Sequence, residues 1–247
     1  MLRRSWLLAA ALTMATAHLA AAETRLATNV VPIAQAVELN VDPTRPDYGG
    51  RAIIDLEVRT ATSSFALHAV GMSIVSLELR AGENQVRTRH ATADGQLRIE
   101  SDSPLTVGRY RLYLEFSRPF GQRAHGLYRV EKNGRHYSYT DLEPTGAREV
   151  FPCFDEPAFK IPFTVTAIVP EANEVLANAP IASTTRGIDG RKTVRFQPTP
   201  PLSTYLFALM SGPFDTRDLP GLGVRGRIVT TADSGLPSLG KDAETFA

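Results

Sequence analysis

Asp141 and Glu143 are two carboxylates at a spacing of two, on the rim of a Pro/Gly turn within residues 126–163 (GLYRVEKNGRHYSYTDLEPTGAREVFPCFDEPAFKIPF). Such a pair can grip a cation, for instance the free α-amine of a peptide. Glu143 precedes Pro144, which pushes its backbone toward an extended conformation and limits local capping. An extended carboxylate at an edge can project into a neighbouring cleft. On this chemistry alone two readings stay open for Glu143: a ligand-facing carboxylate and a solvated turn acid. Asp155-Glu156-Pro157 reads as structure before function, because a carboxylate in a turn accepts backbone N–H bonds and Pro157 fixes the exit.

Other chemistries lack their residues. The histidines are His18, His68, His90, His125 and His136, and none has another three to five residues away. No HExxH helix signature occurs, so no metal site and no cofactor is expected in this chain. Each histidine reads as a solvated or hydrogen-bonded strand or loop residue. There is no G-x-S-x-G elbow, P-loop or dinucleotide fingerprint, and Gly221-Leu222-Gly223 is a turn before a strand. No catalytic residue is therefore assigned. Cys153 is the single cysteine, which excludes an internal disulfide. With Pro152 and Phe154 beside it, it reads as a small buried hydrophobe.

The elements that must position these residues are strands. Hydrophobic residues make up 43% of 247, enough for one large core or two small ones, and the net charge of +1 points to no nucleic-acid partner. Strands are expected at Val30–Val41 (interrupted by Pro32), Ile53–Arg59, two runs within Phe65–Leu79, Val86–His90, Gln96–Glu100, Arg109–Phe116, Phe163–Val169, Val175–Asn178, Thr193–Phe196, Tyr205–Met210 and Val224–Thr231. Asp42–Gly50 reads as a long turn cluster and Asp189-Gly190 as a hairpin turn. Alternation puts Ile54, Leu56 and Val58 on one face, and likewise Tyr110, Leu112, Leu114 and Phe116. Helical periodicity is nearly absent. The fold class expected is all-β, a mostly antiparallel sandwich.

Residues 1–22 read as a signal peptide. Arg3 and Arg4 precede an apolar stretch, Trp6–Ala17, too short to span a bilayer, and Ala20-Ala21-Ala22 suits cleavage before Glu23. The expectation is an exported protein, periplasmic or extracellular, with no membrane span after signal removal. Residues 23–232 form the β domain. Residues 233–247 read as a linker at a domain boundary.

Four segments, in order, resemble the amino-terminal domain of the M1 family of zinc aminopeptidases, the aminopeptidase N and leukotriene A4 hydrolase group. Gly126-Leu127-Tyr128-Arg129 resembles its G-[FL]-Y-R strand, Tyr139–Arg148 its T-Q-x-[EQ]-x-x-x-A-R segment, Phe151–Pro157 its aromatic-proline-cysteine string, and Leu202–Phe214 its M-S-[ST]-Y-L-x-A-F-x-x-G-x-F segment. The likeness covers roughly residues 29–232. It implies a saddle-like β domain packed against a downstream thermolysin-like catalytic domain that holds the zinc. It also implies that Glu143 helps hold the amino terminus of a peptide substrate. Asp141 falls where the family usually has Gln in the first side-chain pocket, and Gly146 replaces the more usual Asp. The family's zinc ligands and catalytic residues have no counterpart here, so this chain by itself is expected to be inactive, with apolar surface exposed. Two competing expectations are a stand-alone, non-catalytic β-sandwich that binds peptides or proteins, and a member of the epoxide-hydrolysing branch.

Overall fold

The computed structural model describes residues 25–219 and 226–234. The signal segment 1–22, the Gly221-Leu222-Gly223 turn and the tail from Gly235 lie outside the described residues. The architecture is all-β and sandwich-like, as the alternation predicts. Its largest sheet has eight strands in the order β13-β14-β11-β1-β2-β8-β4-β5. In chain order these are β1 (Val30–Asn40), β2 (Asp47–Val58), β4 (Ser73–Ala81), β5 (Asn84–Val86), β8 (Gly108–Pro119), β11 (Phe163–Pro170), β13 (Ile181–Arg186) and β14 (Arg191–Phe196). All its pairings are antiparallel except β1 with β11.

A three-stranded sheet joins β3 (Thr62–His68), β7 (Gln96–Leu105) and β6 (Thr88–Ala93). A four-stranded sheet runs β12-β15-β10-β9, from β9 (Gly126–Lys132), β10 (Arg135–Asp141), β12 (Glu174–Ala177) and β15 (Leu209–Gly212). Strands β16 (Phe214–Leu219) and β17 (Gly226–Thr231) form a hairpin.

The faces follow the period-2 pattern. Ile54, Leu56 and Val58 of β2 are buried, with Leu112, Leu114 and Phe116 of β8 and Val165, Ala167 and Val169 of β11, and the core continues into Phe65, Leu67, Leu97 and Ile99 of the three-stranded sheet. The opposite face of the large sheet is a ladder of cross-strand charges. Arg111 sits 2.6 Å from Asp55, and Arg109 3.6 Å from Glu57.

Three local expectations are corrected. Pro32 does not break β1, because it sits at a bulge between Pro32 and Ala34, where a ladder N–H is dispensable. Asp47–Gly50 is strand, paired with Phe116–Pro119, and not turn. A Cβ on Gly50 would lie 2.4 Å from the Glu38 carbonyl oxygen, so this glycine serves close packing between strands. Tyr205 and Leu206 belong to a short 3-10 turn, Thr204–Leu206, ahead of β15. Strands β10, β13 and β16 have no counterpart in the sequence reading. Among the described residues no helix is long and apolar enough to cross a membrane.

Candidate functional site

The site is built at the end of β10. This strand pairs with β9 along its whole length, from Arg135 opposite Lys132 to Asp141 opposite Gly126. Gly126 has φ +66°, a backbone that side chains rarely tolerate, and a Cβ there would touch the Glu149 side chain at 3.4 Å. On its other side β10 pairs with β15 through Ser138–Ser211 and Tyr139–Met210. The next position is closed by a side chain: the Leu209 N–H donates to the Thr140 hydroxyl at 2.9 Å. Asp141 therefore stands at the end of the sheet, exposed.

Leu142 is buried and anchors the chain after the strand. Glu143 follows, exposed, at the start of a turn. Its peptide bond to Pro144 is cis. The turn closes when the Gly146 N–H donates to the Leu142 carbonyl at 2.8 Å, and a 3-10 turn, Ala147–Glu149, leads into Val150 and Phe151, both fully buried. Neither Asp141 nor Glu143 has a side-chain hydrogen-bond or ion-pair partner among the described residues.

One face of the four-stranded sheet lies beside Asp141. Register places Tyr128, Tyr139, Met210 and Leu176 in a row across β9, β10, β15 and β12. All four are half-buried. The rings of Tyr128 and Tyr139 are 5.9 Å apart, and Phe214 meets Tyr139 edge-on at 5.8 Å. Partial burial pushes both tyrosine hydroxyls up, and the negative charge of Asp141 adds to this at Tyr128. The next row inward is sealed, because the fully buried Tyr137 ring covers Gly212 and its hydroxyl accepts from the Ala232 N–H at 3.1 Å.

Asp155 does different work. Its carboxylate is almost fully buried and accepts from the Arg148 Nε at 2.9 Å and the Arg148 backbone N–H at 3.2 Å. The Thr204 hydroxyl donates to its other oxygen. The Asp155 N–H donates to His68 Nδ1 at 3.2 Å, and Arg148 Nη2 to the Asp155 carbonyl at 2.7 Å. His68 and Cys153 exchange both backbone bonds, at 2.8 and 3.0 Å. Four segments are thus locked together beneath the Glu143 turn. Phe151 and Phe163 pack on Phe207, with ring centroids 4.8 and 5.9 Å away. Cys153 is fully enclosed, and burial pushes its thiol well up, so it behaves as a small hydrophobe.

A depression of about 380 Å³ opens beside the turn, lined by Thr145, His68, Arg148 and Asp155 among others. Among the described residues no three His, Cys, Asp or Glu converge as a metal site. The donors on this surface do not fit zinc.

Residues 31–206 match the profile of the Peptidase M1 N-terminal domain. The chain belongs to the M1 family. It is 27% identical over 224 residues to the aminopeptidase N of Acetobacter pasteurianus, covering 89% of this chain and 62% of that protein. It is 32% identical over 240 residues to the aminopeptidase M1 of Arabidopsis thaliana, covering 91% of this chain and 27% of that one. It is 27% identical over 204 residues to the human endoplasmic reticulum aminopeptidase 1, covering 78% and 22%. The chain spans less than two thirds of the length of each of these relatives.

In this M1 domain the sequence reading places Asp141 and Glu143 on one rim, and the structure has them at the strand end and the turn that follows. Glu143 sits in the turn that follows β10, ahead of the cis bond to Pro144. The sequence reading assigns no role to Arg148, Thr204, Tyr128 or Tyr139, and expects of His68 only a solvated or hydrogen-bonded strand or loop residue. The Tyr-x-Tyr spacing at 137 and 139 is the local signal that could have marked the aromatic face. Nothing local marks the partnership of Thr204 with Asp155, which lies 49 residues away in sequence.

Proposed function

We propose that this chain is the substrate-recognition part of an exported M1-type zinc aminopeptidase, which removes amino-terminal residues from peptides. The described residues would contribute binding, and a downstream catalytic domain would supply the zinc and the hydrolytic step. One observation carries the proposal: two carboxylates without side-chain partners among the described residues stand at the exposed end of β10, on a base held rigid by the buried Arg148–Asp155 network. A primary ammonium in a partly dry cleft needs acceptor-only partners, and a charged hydrogen bond to one contributes about 1.5–3 kcal/mol. Glu143 is assigned that role. An ammonium held this way selects peptides with a free amino terminus.

Asp141 is assigned to the first side chain of the substrate. A carboxylate beside the rings of Tyr128 and Tyr139 suits a lysine or arginine side chain, which gains both an ion pair and the faces of the rings. Arg3, Arg4 and the Ala20-Ala21-Ala22 step support export; Edman sequencing of the secreted protein should begin at Glu23, and retention of Met1 would remove that part of the proposal. For the site, Glu143→Ala in the intact enzyme should raise KM for aminoacyl substrates. It should lower kcat/KM by about tenfold, corresponding to about 1.4 kcal/mol. Unchanged kinetics would take Glu143 out of the site.

A further inference from the structure

Near the Asp141–Glu143 turn stands a residue that the proposed function does not use. His125 lies just before β9. An ideal Cβ on Gly146 would come within 2.8 Å of the Asp141 carbonyl oxygen, 2.9 Å of Leu142 Cα and 3.1 Å of His125 Cε1. A side chain at Gly146 would thus meet the backbone at the end of β10 first and the imidazole next. The ring is itself anchored. His125 Nε2 is 3.2 Å from Glu149 Oε1, and the other Glu149 oxygen accepts from Arg118 Nη2 at 2.6 Å. Arg118 in turn donates from Nε to the Val70 carbonyl at 3.1 Å. The Tyr48 hydroxyl donates toward the Glu149 and Val150 carbonyls, each at 3.1 Å. The His125 loop is closed by a Gly121 N–H bond to the Leu127 carbonyl at 2.8 Å.

We propose that His125 is a positioning residue for Asp141 and Glu143, and that Gly146 is a glycine here because the Asp141 and Leu142 backbone, with the imidazole next to them, occupies the space a side chain would need. The inference rests on the substrate-binding role proposed for the two carboxylates. The ring has two jobs. It forms a wall against which the turn closes, and it ties that wall through Glu149 and Arg118 to β8. Removing the ring lets the turn relax backward. Adding a methyl group at Gly146 pushes the Asp141 carbonyl and Leu142 forward. Both changes move the carboxylates without touching a substrate.

The test is a double-mutant cycle in the intact enzyme, with an aminoacyl anilide as substrate and Glu143→Ala as reference. His125→Ala and Gly146→Ala should each raise KM by about threefold or more while kcat stays within about twofold. The double variant should lose less than the product of the single losses, because with the ring gone Gly146→Ala can shift toward the vacated space and relieve part of the methyl group's clash with the Asp141 and Leu142 backbone. A merely structural role would lower the melting temperature of His125→Ala and leave KM alone. His125→Gln keeps a donor for Glu149 but lacks the ring, and it replaces His125→Ala if that variant does not fold. If Glu143→Ala raises KM while the His125 variants do not, or if the two single losses multiply, the positioning role is overturned and the substrate-binding role stands. If Glu143→Ala changes nothing, both fall together.

Discussion

Asp155→Ala tests whether the platform under the Glu143 turn is built as described. The Arg148 and Asp155 side chains are only 10% and 2% exposed. Truncation deletes the acceptor for Arg148 Nε, for the Arg148 N–H and for the Thr204 hydroxyl. It also takes away the carboxylate that the buried Arg148 Nε faces at 2.9 Å. Breaking a buried pair from one side costs about 3–5 kcal/mol. Arg148 keeps its bond from Nη2 to the Asp155 carbonyl, which places the loss near the lower end, about 3 kcal/mol.

Urea unfolding followed by far-UV circular dichroism reads this directly. With a slope near 2 kcal/mol/M for a domain of this size, the midpoint should fall by about 1.5 M. Removing both charges is a different perturbation. Arg148→Met with Asp155→Leu leaves no unpaired ion and should be less destabilised than Asp155→Ala alone. A midpoint shift below about 0.3 M for Asp155→Ala, well under the cost of a broken buried pair, would refute the account. A double variant as unstable as the single one would do the same.

Three further outcomes are expected. Asp141→Gln in the intact enzyme should lower kcat/KM for arginyl and lysyl substrates about tenfold relative to leucyl ones, and an unchanged ratio would dissociate Asp141 from side-chain selection. Stability should fall on the alkaline side. Burial raises the Cys153 thiol and the Tyr48 hydroxyl in the folded state, so the unfolded chain loses these protons first. Their contribution is present below the ordinary values of about 8.5 and 10 and declines above them by about 1.4 kcal/mol per pH unit per group. Cys153→Ser with Tyr48→Phe should flatten urea midpoints measured between pH 8 and 11, and an equal decline in that variant would count against the explanation. Gly212→Ala should destabilise by about 1–3 kcal/mol, the usual range for overpacking, because its Cβ would lie 2.4 Å from the Tyr137 ring; a melting temperature equal to wild type would show that the ring yields freely.

Most of what was legible in the sequence was local. Alternation identified the inward faces of β2 and β8 residue by residue, because successive side chains on a strand point to opposite sides. The apolar neighbours of Cys153 marked it as buried, and the rim position of Asp141 and Glu143 followed from the turn residues around them. Composition misled where one residue type serves two purposes. Gly49 and Gly50 resemble turn formers, yet Gly50 is small because Glu38 and Phe116 crowd it from two strands.

The arrangement that gives these residues a setting came from pairings between distant segments. Asp155 meets His68 from 87 residues away and Thr204 from 49. The row Tyr128, Tyr139, Met210 and Leu176 exists only because β9, β10, β15 and β12 pair in that register. A period of two says which side of a strand faces inward but not which strand lies next to it. That choice belongs to the packing of the whole core, and with it comes the surface where Asp141 borders an aromatic face.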